Sequence, residues 1–274
     1  MHEIYTCGAK DFLQKSKIPI RVLKDENTIY EEMAELTANE IKAKNGKPCL
    51  VICPVGPVGQ YPKLAEQINR EKISLKNCTF INMDEYLNED DSEIAYDNPL
   101  SFHAAMDKYF YSKIESQLLP DPKNRIFPNP KNPVEADRLF ERLGNADICL
   151  TSVGINGHIA FNEPPGITDS ITDAEFANIG TRCLDITKET IVNNGSRKIF
   201  GALDIFPKRC ISLGMKQILG AKILKIYLYC DWHWGIMRKI ALEPKTRFNP
   251  ASFLQEHRNA EMVITEELLN RTLF

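Results

Sequence analysis

Between residues 30 and 45 (YEEMAELTANEIKAKN) apolar residues recur three and four apart with charges between them. That is the pattern of a helix with one buried face, and Gly46 supplies a stop just past it. Cys49-Leu50-Val51-Ile52-Cys53 comes next without a polar interruption, which predicts a short strand buried on both faces, as in a parallel sheet. The alternation then repeats. A turn-rich loop over 54–60 (PVGPVGQ) leads into a helix over 61–72, and 78–83 predicts a second strand. Residues 101–118 form an amphipathic helix, 146–153 a third strand and 222–230 a fourth. A helix starts near residue 235, and 260–265 is a last short strand. Strands alternating with helices predict a mostly parallel sheet covered on both faces, a three-layer α/β/α, Rossmann-like fold. No linker, repeat or low-complexity tract interrupts the pattern, so residues 1–274 read as one domain.

In such sheets ligands bind beyond the carboxyl ends of the strands. Three unusual polar sequences come directly after predicted strands: the 54–60 loop, Asp84-Glu85, and Gly154-Ile155-Asn156-Gly157-His158. They are distant in sequence and should converge on one edge. In Asn82-Met83-Asp84-Glu85-Tyr86 a carboxylate can supply a general base. Strand geometry points Asp84 and Glu85 in different directions, so one of them faces the site. In the second run Gly154 and Gly157 allow a tight turn with positive φ. His158 is a candidate acid/base because its reference pKa lies near neutrality, and Glu163 can orient the imidazole and hold its charge. Taken by residue type alone, the acids also suit a solvated loop and the histidine a packing role.

Composition narrows the choice of partner. The 34 basic and 37 acidic residues leave a net charge of -3, so no broad basic field suggests nucleic acid or an anionic membrane surface. No apolar run approaches the roughly 18 residues of a membrane span. The eight cysteines are scattered, several in apolar runs, with no CxxC pair. They read as small buried hydrophobes in a reducing cytosol rather than as a metal site. A soluble cytoplasmic protein is the expectation.

Together, Asn82-Met83-Asp84-Glu85-Tyr86 and Gly157-His158-Ile159-Ala160-Phe161-Asn162-Glu163-Pro164 resemble the glucosamine-6-phosphate deaminase/isomerase family. The resemblance runs from about residue 30 to residue 265. It implies an α/β/α fold of the deaminase/phosphogluconolactonase type, no cofactor and no metal, and a small phosphosugar as partner, in a chain that is a possible homo-oligomer. The implied reaction opens the ring of a 6-phosphorylated 2-amino sugar, isomerises the aldose toward the ketose and releases ammonia. By the same resemblance Asp84 is the base between C2 and C1, His158 opens the ring, and Glu163 is its partner. Glu85 and Gly157 fall among the substrate-binding positions.

The chain also departs from the pattern. Asn156 stands where the glucosamine branch has an aspartate. Its amide cannot act as a base but can hydrogen-bond the sugar or orient His158. Here the chain is more similar to the galactosamine-6-phosphate isomerase branch, as it is in Asn249–Leu254 with His257 and in Leu213–Leu219. In the phosphate loop Pro57 removes a backbone donor, which leaves Gly56 and Gly59 to form an anion-binding nest. Arg197 falls near a phosphate-binding arginine of the family, and the family's phosphate lysine falls at Trp234. Trp232 or Trp234 would instead stack on a sugar face, with Arg182 and His233 as other candidate cations. Two rivals remain: a 6-phosphogluconolactonase, and a catalytically silent or regulatory sugar-binding homologue, for which Asn156, Pro57 and the missing lysine speak.

Overall fold

The structure is a computed structural model that describes residues 3–273. In chain order the elements are α1 (Ala9–Lys15), β1 (Ile20–Leu23), α2 (Glu26–Ala43), β2 (Cys49–Cys53), α3 (Gln60–Glu71), β3 (Cys78–Asn82), β4 (Asp84–Leu87), α4 (Phe102–Tyr109), β5 (Arg125–Ile126), α5 (Val134–Leu143), β6 (Ile148–Thr151), α6 (Asp173–Ala177), β7 (Arg182–Asp185), α7 (Lys188–Lys198), β8 (Arg209–Ser212), α8 (Met215–Leu219), β9 (Ile223–Leu228), α9 (His233–Leu242), β10 (Ala260–Thr265) and α10 (Glu266–Asn270). Seven strands form a parallel sheet in the order β1-β10-β9-β6-β2-β3-β5. Three more form a small antiparallel sheet in the order β4-β8-β7.

The alternation of side chains along β2 shows why three layers form. Cys49, Val51 and Cys53 pack with α2, α3 and α4, against Met33, Leu64 and Met106. Leu50 and Ile52 point the other way and pack with α1, α5 and α9, against Phe12, Leu139 and Met237. Each face of the sheet therefore owns a hydrophobic cluster, and the continuous apolar run of β2 is the sequence of a strand buried on both sides. The fold is the three-layer α/β/α that the pattern predicts.

The departures are local. The pattern over 101–118 is helical only to Tyr109; Phe110 leaves helical geometry, and two short 3-10 turns at Tyr111–Lys113 and Ser116–Leu118 complete the segment. Gly46 does not cap α2 directly; Lys44 does, and Gly46 turns the chain two residues later at φ 79°. The edge strands β1 and β5 and the whole antiparallel sheet escape the apolar pattern. Among the described residues no helix is long and apolar enough to cross a membrane, and all eight cysteines are free thiols.

The small sheet fixes the position of one candidate residue. At Met83 the chain leaves the main sheet: Met83 donates to Cys53 in β2 and accepts from Leu213 just past β8. The next four residues pair with β8, Asp84 opposite Ser212. Asp84 is thus held by backbone on a rigid strand beyond the carboxyl end of β3, where loop-borne sites of this architecture collect.

Candidate active site

A cavity of about 350 Å³ lies over the carboxyl ends of β2, β3, β6 and β9. Its lining includes Gly56 and Pro57 from the loop after β2, Asp84, His158, Arg197 and Lys198 from the end of α7, and Trp232. Three sequence-distant polar runs do converge there.

Asp84 and Glu85 part company as a strand requires. Asp84 lines the cavity and is 6% exposed. No hydrogen bond reaches its carboxylate among the described residues. Burial, helped by the charge of Glu85, pushes its pKa up to about 7, against the pull of Lys198 and His158. Glu85 does not reach the cavity. Its carboxylate accepts from the backbone N–H of Tyr86 at 2.9 Å, Phe102 at 3.0 Å and His103 at 2.9 Å, which caps the start of α4. Its expected place among the substrate-binding residues is therefore corrected to a helix cap, because its side chain is spent on orphan backbone donors.

His158 is fixed by a network on one of its ring nitrogens. Nδ1 lies 2.8 Å from Asn156 Oδ1, 3.1 Å from Glu163 Oε2 and 3.2 Å from Thr190 Oγ1. With two oxygen acceptors that carry no proton, Nδ1 bears the hydrogen. Nε2 has no protein partner among the described residues. Glu163, 7% exposed, also receives Asn156 Nδ2 at 2.7 Å and Thr187 Oγ1 at 3.1 Å. Burial alone would raise its pKa, but the charge of His158 and the hydrogen bonds from His158, Asn156 and Thr190 outweigh burial and bring it down to about 2.

The loop that presents this pair is pinned at both ends. Gly157 adopts φ 88°, and a Cβ there would strike the Asn249 amide. Gly157 accepts from Ala251 N–H at 2.8 Å and does not line the cavity; what the structure shows of it is its part in shaping the turn. Gly154 is not in the positive-φ region, contrary to the expectation for it. It is glycine because a Cβ there would run into the His158 ring. Asn162, wholly buried, donates to Ile159 and Leu213 carbonyls and accepts from Arg182. Asn156 stands behind His158 and does not line the cavity.

The anion side differs more from expectation. Gly56 lines the cavity, but Gly59 does not: it precedes α3, and a side chain there would run into the Tyr30 ring. Trp234 is corrected outright. It is 8% exposed on the far side of α9, stacks on Tyr5, lies under Arg238 and donates its indole N–H to Arg271 O at 2.8 Å. Two residues on a helix change face, and the tryptophan at the cavity is Trp232. His233 is no cation: burial brings its pKa down to about 3, Nδ1 accepts from two backbone N–H groups and Nε2 faces Val153 O. Arg182 is spent on Asn162. Arg197 lies 5.4 Å over the Trp232 ring with Nη2 3.2 Å from Cys230 Sγ. Lys198 is a residue that sequence reasoning missed, although it directly follows Arg197.

Both cations belong to α7, which starts at the other end of the site. Thr187 is its N-cap, and Thr187 and Thr190 contact Glu163 and His158. Glu189 in the first turn and Arg197 and Lys198 in the last complement the helix dipole.

The fold is the α/β type with a seven-stranded parallel sheet shared by NagB proteins and 6-phosphogluconolactonases. The 6-phosphogluconolactonase of Trypanosoma brucei superposes with a TM-score of 0.66 at 14% identity, covering 92% of this chain and 98% of its own. No protein-family model matches the chain. In sequence the chain is similar to glucosamine-6-phosphate deaminases, at about 28% identity. The deaminase of Mycoplasma mycoides is 28% identical over 258 residues, 91% of this chain and 96% of the relative. Glucosamine-6-phosphate deaminase 1 of Bacillus subtilis is 29% identical over 87% of this chain and 94% of its own. A solved structure, a monomeric glucosamine-6-phosphate deaminase, superposes with a TM-score of 0.76 at 26% identity, covering 92% of this chain and 98% of that one.

Proposed function

We propose that this chain deaminates and isomerises a hexosamine 6-phosphate, releasing ammonia and a ketose 6-phosphate. One observation carries the reading. A buried carboxyl poised near neutrality, Asp84, and an imidazole with one free nitrogen backed by an ionised carboxylate, His158 with Glu163, meet at one cavity. A base that shuttles a carbon-bound proton works best with a pKa near the working pH. His158 holds its Nδ1 proton toward Asn156 and Glu163, so Nε2 is the atom that exchanges protons with the ring oxygen and the C1 hydroxyl during opening. Arg197 and the backbone around Gly56 hold the phosphate, and Trp232 offers an apolar wall to the sugar. Lactone hydrolysis needs no carbon-proton base, so Asp84 favours the deaminase over the lactonase.

Glucosamine 6-phosphate is the favoured epimer, on the strength of the relatives' names. Galactosamine 6-phosphate is the second reading and keeps the Asn156-Gly157-His158 run in its favour. Because Asn156 stands behind His158, a preference between C4 epimers must be read by other groups. The test is ammonia release from both hexosamine 6-phosphates and from glucosamine, beside a thermal-shift screen. Ammonia from a phosphorylated hexosamine supports the reading. Binding without turnover would mark a silent homologue, and hydrolysis of 6-phosphogluconolactone alone would mark a lactonase.

A further inference from the structure

Arg197 and Lys198 are sequence neighbours that diverge. Arg197 reaches toward Trp232 and Cys230. The Lys198 ammonium lies 4.9 Å from the Phe102 ring centroid and 5.6 Å from that of Tyr86, and both rings line the same cavity. No carboxylate or carbonyl takes a hydrogen bond or ion pair from it among the described residues. Its charge acts on Asp84 and Glu85, and Glu85 is already occupied with the α4 backbone. An unpaired ammonium thus sits over aromatic faces beside the one cavity carboxyl that also lacks a partner. Desolvation against these rings, with the charge of Arg197, pulls its pKa below the usual lysine range, while Asp84, Glu85 and the C-terminal end of the α7 dipole favour the charged form.

We propose that Lys198 is a catalytic residue whose ammonium receives the oxygen anion formed when Asp84 removes the substrate's carbon-bound proton. This rests on the function proposed above. The Asp84 carboxylate takes the proton from C2. The electron pair of the broken C–H bond forms C1=C2, and the former C1=O1 pair moves onto O1, which Lys198 meets with an N–H donor. In the return step the amine lone pair forms C2=N, the C1=C2 pair takes the proton back from Asp84 at C1, and O1 takes a proton from Lys198. Lys198 recovers its proton from solvent. The product is the ketose-level imine, whose hydrolysis by water releases ammonia. A positive charge placed at a developing oxyanion is a strong source of rate acceleration. Lysine, a compact point charge, suits a single oxygen, while the guanidinium fork of Arg197 suits a phosphate.

The groups that face Asp84 are Glu85 beside it, Lys198 from α7 and His158 from the loop after β6, with Tyr86, Tyr61 and Cys210 in electrostatic reach. Removing Lys198 leaves Glu85 less opposed, so the acid limb of kcat/KM must move to higher pH.

The experiment compares wild type, Lys198→Met and Lys198→Arg on glucosamine and galactosamine 6-phosphate in D2O. It follows C2-proton loss by NMR and ammonia release across neutral pH, with inorganic phosphate as a competitive inhibitor. In Lys198→Met, C2 exchange should fall about 10²- to 10³-fold, the acid limb should rise, and KM and the inhibition constant for phosphate should stay near wild type. Lys198→Arg should recover part of the exchange rate. Wild-type exchange in Lys198→Met with a raised KM and weaker phosphate inhibition would overturn the proposal and make Lys198 a second phosphate cation. Absence of C2 exchange in wild type on both sugars would overturn the proposed function and this inference together.

Discussion

Asp84 and Glu163 are equally buried, 6% and 7% exposed, yet their carboxyl groups are driven in opposite directions, to about 7 and about 2. Burial alone cannot separate them; partners do. Glu163 receives an imidazole, an amide and a hydroxyl, whereas Asp84 receives no hydrogen bond among the described residues and stands next to another acid. Two carboxyl groups pushed apart by their surroundings are fit for two roles: one exchanges protons near neutral pH, and the other stays charged to hold a histidine.

The sharpest way to break this contrast is Asp84→Asn. Carbon-proton exchange should fall by about 10⁴-fold, the upper end for general acid–base catalysis, with substrate binding kept. Wild-type-like C2 exchange by NMR would remove Asp84 from the chemistry. The same variant carries a stability signature. Native Asp84 binds its proton more tightly than the unfolded chain does, so wild-type stability falls as pH rises from about 4 to about 7. Asp84→Asn should therefore melt above wild type at pH 8 and lose that advantage near pH 4. An equal melting temperature at both pH values would deny the raised pKa.

His158→Gln should cost about 10²- to 10³-fold in turnover and much less on a substrate already open. An equal loss on both forms would move His158 out of ring opening. Arg197→Met tests whether the anion side works independently of the two carboxylates. KM for the phosphosugar should rise about 30- to 100-fold, the value of a charge-assisted pair, with binding of unphosphorylated glucosamine unchanged. A wild-type KM would place the phosphate elsewhere.

Glu163→Gln sharpens the other half. Here the native pKa is depressed, so the stabilisation is present above about pH 4.5 and is lost as pH falls through about 2. The variant should melt below wild type at pH 7, with a gap that narrows in acid; a gap that persists at pH 2 would assign the loss to packing. The smallest effect belongs to Asn156→Asp. It replaces the donor at 2.7 Å from Glu163 Oε2 with a like charge, which raises both the carboxyl and imidazole pKa values. The pH profile should shift and activity should drop a few-fold. A tenfold gain on glucosamine 6-phosphate would instead show that the asparagine is a lesion.

How much of this was readable in the chain depends on the kind of signal each part carries. Strands β2, β3, β6, β9 and β10 are interior and announce themselves as apolar runs. Strand β1 lies at the sheet edge and is half-buried throughout, β5 is two residues long, and β7 and β8 each mix charged and apolar residues, so none of these carries a periodic signature. Asp84, His158 and Gly56 reach the cavity, and Glu163 backs His158, in places legible because each lies just after a strand or fits a long motif; Arg197, in the last turn of α7, was legible only by its match to an arginine of the family. The misplacements share a cause. Glu85 and Trp234 are one and two residues from positions at the cavity, and a step of one along a strand or two along a helix reverses the side chain. Gly59 and Gly157 are needed for what packs against them. Lys198 had no motif of its own, only adjacency to Arg197.

Helix α7 joins His158 and Arg197, at two ends of the cavity, in one rigid element. From Thr190, against His158, to Arg197 is seven residues, about 10 Å along the axis. With the roles proposed above for His158 and Arg197, the helix would act as a gauge of carbon-chain length. A phosphosugar one carbon shorter or longer would then seat its phosphate or its aldehyde end, but not both. Discrimination against pentose and heptose phosphates would then be set by the pitch of a helix and not by any side chain that touches the missing or extra carbon.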